Sequence, residues 1–142
     1  MNALDVLVPA IVVLGGLIVA GWGFSCLAGR FPRNLIVGYR TRAALSSKPA
    51  WDAAHRGYAP FLITGGLVLA ATGALSIVAV LAGAGGMAGP VIAVGIGVLL
   101  GALILGGVFA HRALRRHLDE NGQATPAERP GRFGAGGRGG VA

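Results

Sequence analysis

The sequence predicts an all-α integral membrane protein: a three-helix bundle with a short amphipathic interfacial helix and a disordered C-terminal tail. Three observations predict it. Hydrophobic residues make up 54% of the 142 and charged residues 12%, about half the charged share of a soluble domain, so polar groups could not cover a soluble surface. Three apolar runs, each longer than the roughly 18 residues that mark a membrane span, carry no charge. Every cation lies either between the first and second runs or after the third.

The first run is Val6 to Ala28, with Pro9 in or near its first turn, where a missing N–H matters least. The second is Ala59 to Ala82 and the third Gly89 to Ala110, with Pro60 and Pro90 at their entries. These bounds divide the chain into a membrane domain over 1–118, with spans at 6–28, 59–82 and 89–110 and a link at 29–58, and a basic tail over 119–142. No Asp, Glu, Lys, Arg or His falls within a run, which speaks against a proton relay or ion-coupled pump, since these need an ionisable group at membrane depth. The first run begins after Asp5 without a preceding cation and is too long for a signal-peptide core, so it is expected to remain as a span.

Small residues recur at four-residue spacing: Gly16 and Ala20 in the first run, Gly66 and Ala70 in the second, and Gly89, Ala93, Gly97 and Gly101 in the third. Such faces let helix backbones approach in lipid. Gly97 and Gly101 form a GxxxG pair, expected to pack within the bundle or to join copies of the chain in a homo-oligomer.

The formal net charge is +7. The link holds Arg30, Arg33, Arg40, Arg42, Lys48 and Arg56 against Asp52 alone, and the chain after the third span holds six arginines. With three spans, link and tail share a side. Both are basic, so both are expected to be cytoplasmic, with the N-terminus outside a plasma membrane. This clustering fits a bilayer flank; a nucleic-acid binder would interleave cations along its fold, so no nucleic acid partner is expected. The third span should run on as a helix past His111, Arg112 and His117 until Asn121-Gly122 ends it. Beyond Pro126 the Gly/Arg-rich end should be disordered. One cysteine, Cys26, and three scattered histidines offer no disulfide and no metal cluster. No metal, cofactor or enzymatic activity is expected.

Chemical variety is confined to the link. Pro32 and Gly38 set turns in its first half, and Asn34 can bond local backbone. Ser47 reads as an N-cap with Pro49 in the first turn behind it. Trp51, His55 and Tyr58 then share one face of a short helix at the membrane surface, aromatic side toward lipid or bundle, while Asp52 and Arg56 pair at i, i+4. A lone His without a carboxylate or nucleophile beside it is a poor catalyst.

Taken in order, Pro32-x-Asn34, Val37-Gly38-Tyr39-Arg40-Thr41, Leu45-Ser46-Ser47, Trp51 and His55 resemble the signature of the SdpI family. Arg42-Ala43 stands where many members have Pro and an aromatic or basic residue. Only the three-span portion of the longer members is represented. The family takes its name from a membrane immunity protein that protects a bacterial cell from a secreted killing peptide and is linked to sequestering a repressor at the membrane. The resemblance implies a bacterial plasma-membrane protein of the immunity or signalling kind. Such a protein acts by binding a peptide toxin, a cytoplasmic regulator or lipid. The rivals are a small oligomeric channel or transporter and an accessory subunit of a membrane complex. For Pro32, Asn34, Gly38, Arg40, Thr41, Trp51 and His55 two roles are open: a partner or head-group site, or loop architecture in which Asn and Thr cap turns and Trp anchors the interface.

Overall fold

A computed structural model describes residues 2–33, 36 and 38–122; the expected role of Asn34 and the expected disorder beyond Gly122 lie outside the described residues. Among the described residues four helices follow in order: α1 (Ala3–Leu27), the short α2 (Arg42–Leu45), α3 (Lys48–Leu81) and α4 (Ala88–Glu120), the last entered through a 3-10 turn at Gly85–Met87. Three of them are long and apolar enough to cross a membrane.

The central element is α3. Both α1 and α4 pack antiparallel along it and barely touch each other. At the α1–α3 seam the backbones meet through small residues. A Cβ at Gly16 would lie 2.5 Å from Ala70 N, and one at Gly66 2.5 Å from Ala20 N. Nearer the hairpin end Gly73 sits against Pro9 and Val13, and nearer the basic end Gly23 sits against Leu62 and Ile63. Side chains decide the α3–α4 seam instead: Leu99 and Ala102 cover Gly65, Thr72 fills the space at Gly95, and the Tyr58 ring lies on Gly106. Ser76, fully buried, places its hydroxyl 2.8 Å from the Thr72 carbonyl and 3.2 Å from that of Ala88, so its single proton ties the start of α4 to α3.

The small-residue reading holds for Gly16, Ala20, Gly66 and Ala70. It does not hold within the chain for Gly97 and Gly101. Both are exposed, and a Cβ at either would meet nothing within 4 Å. Leu99, between them, is the residue that faces α3.

Two proline readings also change. Pro60 lies inside α3 and Pro9 inside α1, so of these three prolines only Pro90 marks an entry, while Pro49 stands in the first turn of α3 as expected. The short helix expected at the membrane surface forms, capped by Ser47, whose hydroxyl accepts from Ala50 N–H at 3.2 Å, but it runs into the second span as one helix. Pro60 removes one N–H from the ladder, and its exposed position lets the seams on either side hold the helix through the gap.

Candidate functional site

The residues that carry polar and aromatic chemistry gather at the end of the bundle where α1 finishes and α3 begins. There α1 closes in a Schellman motif: Arg30 N–H bonds the Ser25 carbonyl at 3.0 Å and Gly29 N–H that of Cys26 at 3.1 Å. Gly29 holds the left-handed φ of +66° that this motif requires. The reversed chain drops Phe31 between α1 and α3. Its ring stacks on Trp51 (centroids 5.9 Å apart, 11° between planes) and lies 5.5 Å from Trp22 and 5.2 Å from His55. Trp51 and His55, one helical turn apart on α3, stack at 4.0 Å.

Both are buried, at 0% and 1% exposure, so Trp51 is no lipid-facing anchor and His55 no surface group. Each is fully engaged. Trp51 Nε1–H donates to the Phe31 carbonyl at 3.3 Å. His55 Nδ1 lies 2.8 Å from the Trp51 carbonyl, and Tyr39 N–H points at His55 Nε2 from 3.3 Å. One tautomer satisfies both contacts: Nδ1–H donates, and neutral Nε2 accepts. Burial pushes the His55 pKa below its ordinary value, against a smaller opposing pull from its bond to the Trp51 backbone, so desolvation and geometry favour the same uncharged ring.

Gly38 makes this contact possible. Its φ is +112°, and a Cβ there would run into His55 Nε2. The loop passes over the imidazole with no room for a side chain. Thr41 then caps α2, its hydroxyl accepting from Ala44 N–H at 3.1 Å. The alanines of α2 and α3, Ala44, Ala50 and Ala54, close on Leu114 of α4. Tyr39 reaches α4 as well: its hydroxyl lies 2.9 Å from His111 Nδ1, and Arg115 Nε–H donates to His111 Nε2 at 2.7 Å. With Nε2 accepting, Nδ1–H is the donor to the tyrosine oxygen.

Of the residues singled out from sequence, Gly38, Trp51 and His55 come together in this clasp. Thr41 stands beside it as a helix cap, and Pro32 and Arg40 are exposed. The expected Asp52–Arg56 pair does not form. Asp52 binds Lys48 one turn earlier, and Lys48 Nζ also donates to the Gly29 carbonyl at 3.2 Å. Lysine has the length to serve both oxygens at once, which leaves Arg56 to lie over Gly29. Sequence reasoning missed Trp22, Phe31, Tyr39 and His111 as parts of the site. The available signal was the crowding of aromatic residues between 22 and 58 in a chain otherwise built of aliphatics.

Chemically the arrangement is a lock. Neither ring nitrogen of His55 is open to a substrate, and Asp52 is occupied by Lys48. Among the described residues no three of His, Cys, Asp and Glu group so as to hold a metal ion. What the clasp does is hold the loop after α1 against α3 and α4 at once, with Pro32, Arg33, Ile36, Arg40 and Arg42 outward; Ile36 is 84% exposed.

Three apolar spanning helices joined at one end by a basic, clasped loop define a multi-pass membrane protein. The family model for the SdpI/YfhL protein family matches residues 30–110, more than half of the chain and most of the clasp, Phe31, Gly38, Tyr39, Trp51 and His55 included; the chain belongs to this family. No curated protein and no solved structure matched.

Proposed function

We propose that this is a bacterial plasma-membrane protein of the immunity or signalling kind that acts by binding. Its N-terminus lies outside the cell, and the clasped loop lies in the cytoplasm. The carrying observation is the exposure of Ile36, and of the basic residues Arg33, Arg40 and Arg42, on a loop whose flanks are bonded to α3 and α4. An exposed apolar side chain on a held loop that is basic in sequence suits a peptide or regulator segment that is itself apolar and acidic. The basic link and tail support the cytoplasmic assignment.

The test is rescue of a deletion strain challenged with a membrane-active peptide, with insertion of each variant checked first. Arg40→Ala should abolish rescue, and Arg40→Lys should do nearly the same, because lysine lacks the planar fork that bridges two acceptors. If Arg40→Ala, Ile36→Ser and Trp51→Ala all insert normally and all rescue, the loop is only a connector. A second reading, a small oligomeric channel, draws support from the outward face of Gly97 and Gly101. Solute flux in liposomes that is lost in Gly101→Ile would favour it.

A further inference from the structure

The end of α1 carries a feature that the clasp does not use. A cleft of about 440 Å³ opens beside Phe24, Ser25, Leu27, Ala28 and Arg30. Its lining is apolar along the helix and cationic at one end. Phe24 and Leu27 are more than half exposed there. Arg30 stands at the polar rim, and the Arg56 guanidinium reaches across from α3 to lie over Gly29, its Nη2 3.1 Å from where a Gly29 Cβ would be. The two arginines therefore approach the Gly29 turn from two sides, Arg30 from the chain just after α1 and Arg56 from α3. Neither ion-pairs among the described residues. The acid nearest in sequence to Arg56, Asp52, is bound to Lys48, and the α1 carbonyls that would otherwise compete are closed by Arg30 and Gly29 N–H.

The geometry points to a binding site for one anionic phospholipid, its phosphate between Arg30 and Arg56 and an acyl chain along Phe24, Leu27 and Ala28. Charge complementarity and depth select this occupant. The cations lie at the end of a spanning helix, where head groups lie, and the apolar wall continues from them toward the bilayer core. Arginine suits the phosphate because two forks can share its oxygens. A zwitterionic lipid would fill the groove equally well but would bring its own cation to the rim. This site is independent of partner binding at the Ile36 loop.

The protein in mild detergent, offered equal phosphatidylglycerol and phosphatidylcholine, should retain phosphatidylglycerol preferentially by native mass spectrometry. Each basic residue near an anionic membrane surface contributes roughly a fivefold effect, so Arg30→Gln with Arg56→Gln should lower that preference by roughly 25-fold. Arg112→Gln with Arg116→Gln, two cations on α4, should leave it within about twofold. Phe24→Ser should weaken retention of both lipids together. Equal retention of the two lipids by the unaltered protein would overturn the site. So would equal loss in the two arginine pairs, which would mean diffuse surface charge. Displacement of phosphatidylglycerol by millimolar inorganic phosphate would also overturn it, because the acyl wall would then contribute nothing.

Discussion

On α1 and α3, Gly16, Ala20, Gly66 and Ala70 meet backbone to backbone. On α4, Gly89, Ala93, Gly97 and Gly101 repeat the same four-residue spacing and stay exposed. The comparison separates two properties that a small-residue stripe is usually taken to share. Spacing makes close approach possible, but which helix approaches depends on what else the face carries. The α4 side turned to α3 carries Thr72's partner Gly95, then Leu99, Ala102 and Gly106, a mixed face that fits around Tyr58 and Phe61. That fit uses side-chain volume as well as backbone proximity, and it turns the uniform stripe outward.

Replacing Gly66 by Leu should break this comparison with the largest effect. A Cβ there already lies 2.5 Å from Ala20 N and 2.6 Å from the Gly16 carbonyl, and backbone cannot move aside as a side chain can. The expected loss is more than about 3 kcal/mol, read as collapse of thermal stability in detergent and as loss of cross-linking between α1 and α3.

Gly38→Ala comes next. It forces a side chain into a left-handed φ and against His55, at a cost of about 1–3 kcal/mol. Here the effect should be local. Trp51 fluorescence and protease access to the loop should change, while the α1–α3 cross-link stays intact.

A smaller effect is expected from pH. Above about pH 6.5, the ordinary imidazole value, His55 is neutral in both folded and unfolded chains. As pH falls below that value the unfolded chain gains a proton that the buried ring resists, so stability declines until the lowered folded value is passed. Proteolysis of the loop at pH 7.5 and pH 5 should show it opening in acid, and His55→Gln should remove most of the difference.

Gly101→Ile sharpens the comparison from the other side. Nothing lies within 4 Å of the new Cβ, so the stability of the single chain should stay within about 0.5 kcal/mol. Any change should appear only in the oligomer distribution seen by cross-linking in membranes. Loss of single-chain stability would mean that α4 turns a different face to α3.

The spans were legible because each is a long uncharged run, and the ends were legible where a cap has its own chemistry, as at Ser47 and Gly122. Gly16 and Gly66 were legible as a packing pair by spacing alone. The continuity of α3 was not. Pro60 reads as an entry in any local window, and only the seams on both sides show why the helix survives it. The burial of Trp51 and His55 was hidden for a related reason. Their partners, Phe31 and Tyr39, arrive from a loop whose path depends on the left-handed glycines at 29 and 38. The i, i+4 rule allowed Asp52 to pair forward with Arg56 or back with Lys48, and the Gly29 carbonyl, distant in sequence, decided between them.

The placement of α3 between two helices that barely touch each other bears on how the chain is assembled. When α3 leaves the ribosome, its first partner α1 is already made. When α4 follows, its main partner is α3. Each seam joins helices made one after the other, so none has to wait for a later segment to displace an earlier neighbour. The clasp is the exception: Tyr39 is made well before His111, and its bond to α4 forms only when the last helix is in place. That bond therefore waits for α4, and the basic loop is fastened on both sides only once α4 is in place.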